Sequence, residues 1–299
     1  MHNPISWHIE PTSRCTLECP GCDRTWYKKT FKHQIIQDID IQALHKFFSS
    51  NNFTASKITL CGNNGDPIYH PEFENLVSML KSQKHKLSIH TNGSAKTSKF
   101  WHSVCSKLDK NDRIVFAVDG LQDTNHLYRK NSNWHQIMEA IQIATSYDFR
   151  TEWQFIVFAT NQHQIEEAKN LSKKLKMDHF RLVKSDRWID ESLHEFMPTD
   201  QYINEKYALK KNTVNNNTTK KQMSPKCLTN QDIFIDSQGN IFPCCYSATY
   251  RFRQKNPFGK TLMNIDQISY KLDTEKNNFL HDSQQWSSAS LVCRLHCGK

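Results

Sequence analysis

Residues 15–22 read CTLECPGC and set Cys15, Cys19 and Cys22 in the spacing CxxxCxxC, directly after the short strand-like segment SWHIE at 6–10. Thiolates at i, i+4 and i+7 of one loop fold over a cubic [4Fe-4S] cluster, ligating three irons and leaving the fourth open to a small molecule. Two other chemistries share parts of this pattern. Paired cysteines also make zinc knuckles, which need a fourth ligand, and Cys19 with Cys22 alone would suit a redox pair.

Outward from this loop, the first two thirds of the chain alternate short apolar segments with amphipathic stretches, the pattern of repeated βα units around a parallel sheet. Strands are predicted at Ser6–Glu10, Lys57–Cys61, Lys86–His90, Arg113–Val118, Glu152–Phe158 and His179–Val183. Between them, Ile41, Leu44 and Phe48 share a helical face, as do Phe73, Leu76, Val77 and Leu80, then Ile137, Ile141 and Ala144, then Ile165, Ala168 and Leu175. These stripes read as core. Six such units make an α/β fold, a partial (β/α)6 barrel open along one side, with its active site at the C-terminal ends of the strands.

The motifs fall at those ends, and in order they resemble the radical S-adenosylmethionine (SAM) superfamily. WHIEPTSRC resembles that family's first strand and loop. CGNNGDPIYHPEF carries a GGEP-like motif as Asn64, Gly65, Asp66 and Pro67, LSIHTNG ends in Asn92 and Gly93, and RIVFAVDG ends in Asp119 and Gly120. The resemblance spans residues 5–185. It departs from the family at Gly21, where an aromatic residue usually precedes the third cysteine, and at Asp66, where the motif has Glu.

Membership implies a reduced cluster on Cys15, Cys19 and Cys22 that cleaves SAM to a 5′-deoxyadenosyl radical, which abstracts a substrate hydrogen. The resemblance assigns cofactor contacts to the Gly21 backbone and to Asn64, Gly65, Asp66, Pro67, Asn92 and Asp119, with Asp66 on the methionyl ammonium. Asp119 and Arg129 are the implied catalytic candidates, although Asp before Pro or Gly is also a common turn former. Trp153, Gln154, Arg181 and Lys184 are further candidates for the barrel rim, where Arg and Lys suit a substrate carboxylate or phosphate. An electron donor such as flavodoxin or ferredoxin completes the expected partners.

The polar stretch KKNTVNNNTTKKQMS at 210–224 reads as a linker or loop between a core at 1–209 and a second module at 225–299. There DIFIDSQGNIFPCC reads as two strands joined by a turn at 237–240, with Gly239 supplying the unusual backbone angle. Cys227 precedes Cys244 by seventeen positions, and Cys293 and Cys297 form CxxxC. This hairpin, with a short helix after it, resembles SPASM and twitch extensions, which implies one auxiliary [4Fe-4S] cluster on Cys227, Cys244, Cys293 and Cys297. A four-cysteine zinc site is the competing reading. Cys245, beside Cys244 on an expected strand, should face the other way; Cys61 and Cys105 read as buried small hydrophobes.

Lys and Arg number 39 against 30 Asp and Glu, a net charge of +9, which suits an anionic substrate. No helix-turn-helix, RNP-like or zinc-finger pattern supports nucleic acid. The start, MHNPISWHIE, lacks a signal-peptide layout and no apolar run would span a bilayer, so a cytoplasmic protein without a membrane partner is expected. Ten cysteines there argue for metal rather than disulfides. The fifteen histidines form no HxH or HExxH array and are expected mostly on the surface. The function is thus read as radical SAM oxidation or other modification of a peptide, sugar or nucleoside; a non-catalytic metal-stabilised binding protein, using its basic surface for RNA, is the alternative.

Overall fold

Each strand expected from the apolar runs forms, and all six pair in parallel in chain order. The computed structural model describes residues 6–205 except 52, 54, 186, 187 and 189, together with residues 232–242, 245, 246, 248, 249 and 263–265. The strands are β1 (Ser6–Ile9), β2 (Lys57–Leu60), β3 (Lys86–Thr91), β4 (Arg113–Ala117), β5 (Arg150–Ile156) and β6 (His179–Val183). Among the described residues seven α-helices accompany them: α1 (Asp23–Phe31), α2 (Ile41–Ser50), α3 (Phe73–Ser82), α4 (Ser98–Cys105), α5 (Asn125–Tyr128), α6 (Trp134–Ala144) and α7 (Ile165–Lys174). The result is the open parallel α/β sheet of a partial barrel.

Alternation along the strands divides the sheet into two faces. Trp7, Ile9, Ile58, Leu60, Leu87, Ile89, Ile114, Phe116, Trp153 and Phe155 are buried against the helices. Trp7 meets Phe47 and Phe48 of α2 edge-on, with ring centroids 5.5 and 5.4 Å away. Burying each large side chain contributes about 1.5–3 kcal/mol. The predicted stripes of α3 and α6 are buried; on α2 Leu44 and Phe48 are buried and Ile41 partly so, and on α7 only Ala168 is fully buried, while Ile165 and Leu175 pack at its edge. Trp153 therefore faces the core, its indole N–H donating to the Val118 carbonyl at 2.9 Å, and is not a rim residue. Period-two alternation puts Gln154 on the other face.

That inner face is polar. Arg113 donates to Ser88 Oγ at 2.7 Å, Ser88 bonds His90 at 3.1 Å, and Glu152 lies between Arg113 and Arg181. Arg181 also donates to Gln154 Oε1 at 2.5 Å. Burial, with Arg113, His8 and Arg181 nearby, pushes His90 down to about 3.

The expected hairpin is present as β7 (Asp232–Ile235) and β8 (Asn240–Phe242), with Gly239 at φ +79°. Its position is new. β7 pairs in parallel with β1, Trp7 opposite Ile233 and Ile9 opposite Ile235, so the hairpin and β9 (Met263–Asn264) continue the barrel sheet in the order β6-β5-β4-β3-β2-β1-β7-β8-β9. Ile233, Ile235 and Ile241 enter the main core. The stretch 210–224, both expected module boundaries and the short helix after the hairpin lie outside the described residues. Among the described residues no helix is long and apolar enough to cross a membrane.

Most described histidines are exposed as expected, but His70 and His85 are buried. His85 packs on Phe48 at 4.9 Å and its Nδ1 accepts from the Ser56 N–H at 3.2 Å. Burial lowers it from 6.5 to about 4. The unfolded chain therefore binds more protons between those values, and stability falls as pH drops through that window. Replacing His85 by Gln should flatten the dependence of the urea unfolding free energy on pH near 5.5 by up to about 1.4 kcal/mol per pH unit. An unaltered slope would refute this assignment.

Candidate functional site

Four loops meet at the C-terminal ends of β1 to β4, and the cysteines occupy the first. Cys22 forms the N-cap of α1, and its N–H donates to the Cys19 carbonyl at 3.0 Å, closing the loop on itself. Neighbouring loops hold it from outside. The Asp66 N–H donates to the Arg14 carbonyl at 2.9 Å, the Glu18 N–H to the Lys130 carbonyl at 3.1 Å, and Tyr69 bonds Thr16 at 2.6 Å. Cys22 Sγ lies 4.0 Å from the Asn63 carbonyl oxygen.

Asp66 gathers the second and third loops. Its Oδ2 accepts from Thr91 Oγ1 at 3.1 Å, from the Asn92 N–H at 2.6 Å and from Asn92 Nδ2 at 2.6 Å; its Oδ1 caps the turn Pro67–Tyr69 through Ile68 at 3.3 Å. Burial pushes this carboxyl up to about 6, although the Asn92 backbone bond opposes the rise. Asn92 Nδ2 also lies 3.7 Å from Cys15 Sγ, so three of the expected site residues form one contact network. Gly65 fits only because it has no side chain: a Cβ there would collide with the Thr12 carbonyl.

Asp119 and Arg129 form a buried ion pair, Nε to Oδ2 at 2.7 Å. Asp119 Oδ1 accepts from the Ile156 N–H at 2.7 Å, and its carbonyl accepts from Asn161 at 3.0 Å. Both carboxylate oxygens are thus engaged. Burial alone would lower the Arg129 value, but Asp119 and Cys19 outweigh it and raise it.

The cysteine thiols are partly buried, and burial pushes Cys15 up to about 12 and Cys19 up to about 11. Such thiols ionise only beside compensating positive charge, which iron supplies on ligation. Arg24 and Arg129 add positive charge nearby. Arg24 is buried, its guanidinium donates to the Leu17 carbonyl, and its Nε lacks a partner among the described residues. This donor set fits a thiolate-ligated iron-sulfur cluster.

Gly21 has a local cause. The Tyr128 hydroxyl lies 2.5 Å, and Leu193 Cδ1 3.3 Å, from where a Cβ would sit. Tyr128 is itself stacked on Phe158 at 3.8 Å, in a small cluster with Trp188, Leu193 and Phe196 against which Cys19 packs. The space of an aromatic residue at position 21 is occupied.

Cys227, Cys244, Cys293 and Cys297 lie outside the described residues. Cys245 sits in a turn beyond the end of β8, not on a strand, and its carbonyl accepts from Asn63 Nδ2 at 2.8 Å. Cys105 is fully buried as expected; Cys61 is only partly so. Three contributors escaped the sequence reading: Glu10, Arg24 and Tyr128. A carboxylate closing a strand on the face opposite Trp7 and Ile9, and an arginine two residues after Cys22, were the available signals.

The Radical SAM superfamily profile matches residues 9–171, more than half of the 299-residue chain. The chain belongs to the radical SAM superfamily. That superfamily works through SAM and an iron-sulfur cluster. No curated protein sequence matches the chain. Among solved structures, it is similar to Streptococcus suis SuiB bound to S-adenosylmethionine, with 13% identity and TM-score 0.56, covering 81% of this chain and 60% of that one. It spans 66% of SuiB bound to the precursor peptide SuiA, covering 97% of this chain at 14% identity and TM-score 0.60. It is also similar to anSMEcpe with bound AdoMet and Cp18Cys peptide, with 15% identity, TM-score 0.59, and coverage of 98% and 88%. At such identities the likeness is one of radical SAM fold.

Removing one partner of a buried ion pair leaves an uncompensated charge and costs about 3–5 kcal/mol. Arg129→Ala should lose that much in urea unfolding, with Asp119→Asn and the double variant losing less. If Arg129→Ala unfolds like the parent, the pair does not brace the connection after β4.

Proposed function

We propose that the protein is a radical SAM enzyme whose cluster is held by Cys15, Cys19 and Cys22 and whose substrate is a peptide. The observation that carries the first part is the convergence of Cys15, Asp66 and Asn92 in one network at the C-terminal end of a parallel sheet, the face where such barrels act. When bound and reduced by a donor such as flavodoxin or ferredoxin, the cluster supplies the electron that cleaves SAM to a 5′-deoxyadenosyl radical. The chain's own residues bind and orient. Gly65 and Pro67 shape the turn that lines the cofactor, with the Gly21 backbone beside it. Asn92 faces the methionyl or ribose part, and Asp66 fixes the Asn92 loop while keeping Oδ1 near the methionyl ammonium. Asp119 holds Arg129 against Cys19, where the guanidinium offsets charge on the loop.

The peptide reading is supported by the peptides bound to SuiB and anSMEcpe in their structures. An auxiliary [4Fe-4S] cluster on Cys227, Cys244, Cys293 and Cys297 would take the second electron in an oxidation, since four protein ligands leave no iron open to substrate. The outcome we favour is therefore two-electron oxidation of the peptide.

Anaerobically reconstituted protein should hold about eight irons. Changing Cys15, Cys19 and Cys22 together to Ala should remove about half of them and abolish 5′-deoxyadenosine release under dithionite. Continued release by that variant, or zinc as the resident metal, defeats the reading and leaves the binding-protein alternative. Cys244→Ala should lose the second cluster yet still cleave SAM, whereas Cys245→Ala should keep both; the reverse pattern would exchange their roles.

A further inference from the structure

Glu10 is a buried carboxylate that no motif includes. It follows β1 on the face opposite Trp7 and Ile9, 1% exposed. Its backbone is fixed from the hairpin side, the N–H donating to the Ile235 carbonyl at 2.8 Å. Its side chain reaches the other way. Oε1 accepts from the backbone N–H groups of Asn64 at 2.6 Å and Gly65 at 3.1 Å, and Oε2 accepts from Asn64 Nδ2 at 3.3 Å.

Burial pushes Glu10 up to about 7 against the opposing Asn64 and Gly65 N–H bonds; with Oε1 taken by those two N–H groups, Oε2 accepts from Asn64 Nδ2, so the Asn64 carboxamide turns its NH2 toward Glu10. The amide oxygen is then left over. Asn64 is 5% exposed, and its Oδ1 is buried with no partner among the described residues. A buried acceptor in such a place calls for a donor. Asn64 stands where the GGEP motif has its first glycine, so this chain brings a side-chain acceptor to a position that otherwise has none. Asp66 Oδ2 is meanwhile occupied by Thr91 and Asn92.

We propose that Glu10 is a positioning residue for the cofactor: it locks the Asn64 carboxamide so that Oδ1 is reserved for the ammonium group of bound SAM. This rests on the radical SAM reading above. Glu10 acts through Asn64 and touches no reacting atom. Its effect is on the polarity of the contact, carbonyl rather than NH2 toward a cation.

The test is equilibrium dialysis of SAM, without reductant, against anaerobically reconstituted protein. Glu10→Gln presents an NH2 to Asn64, forces its amide to flip and should raise the SAM Kd about tenfold at unchanged iron content. Glu10→Gln combined with Asn64→Asp reverses the polarity of the pair, restores an outward acceptor and should return the Kd to within about threefold of the parent. 5′-Methylthioadenosine lacks the ammonium and should bind parent and Glu10→Gln alike. Parent-like SAM binding by Glu10→Gln, a double variant as weak as the single, or equal losses for both ligands would each overturn the proposal. Should Glu10→Gln fail to fold, Asn64→Ala gives the decision: a weakened SAM Kd supports the reserved acceptor and an unchanged one refutes it. A parent protein that holds iron but binds no SAM fails at the underlying reading, before any variant is compared.

Discussion

Asp66 is the constraint on which the site is assembled. Its carboxylate lies under two loops and takes bonds from both, so the turn after β2 and the turn after β3 cannot move apart without baring a buried charge. Removing an acceptor from a buried donor costs about 1–3 kcal/mol per group left unpaired. Thr91 and both N–H donors of Asn92 depend on this one carboxylate. Asn92 then reaches Cys15, and the order of the third loop passes to the first.

Charge explains why the cysteine loop is seated among cations. Buried thiols resist ionisation, and Asp66 near Cys15 adds to that resistance. Arg24 and Arg129 work against it, one from the helix that Cys22 caps and one from the turn after α5. Arg129 remains in place because Asp119 balances it, and Asp119 in turn is fixed by the Ile156 N–H of β5 on its carboxylate and by the Asn161 side-chain amide on its carbonyl. Asp66 binds across from the second loop to the third, and the Asp119–Arg129 pair braces the connection after β4 and ties it to β5 through Ile156.

Most of the barrel could be read from the chain because apolar period-two strands and period-3.6 helices have to face one another. The motifs could be placed because parallel strands end on one side. What escaped reading depends on contacts distant in sequence. The neighbourhood of Trp153 in the sequence points to the rim, whereas it is buried in the core, opposite in alternation to Gln154. Glu10 looked like the end of a strand, and its role depends on Asn64, 54 residues away. Gly21 departed from the family pattern for a reason carried by Tyr128 and Leu193, which pack across it from later segments. The hairpin was legible from its turn, but nothing in DIFIDSQGNIF says which strand it will join.

That seat on β1 governs how the two cysteine-bearing regions stand to one another. β1 has β2 on one side and β7 on the other, and the loop after β2 reaches the turn after β8 through Asn63. Asn63 bridges them: its side chain donates to the Cys245 carbonyl at 2.8 Å, while its own carbonyl lies 4.0 Å from Cys22 Sγ. The register of β7 on β1, rather than the length of chain between them, therefore fixes this spacing. A slip of one residue would shift the hairpin by about 3.3 Å and exchange its faces. It would bring Ile233 and Ile235 out of the core, and Phe234 away from His8, whose ring it meets at 4.9 Å. The core thus holds the register that the Asn63 bridge requires.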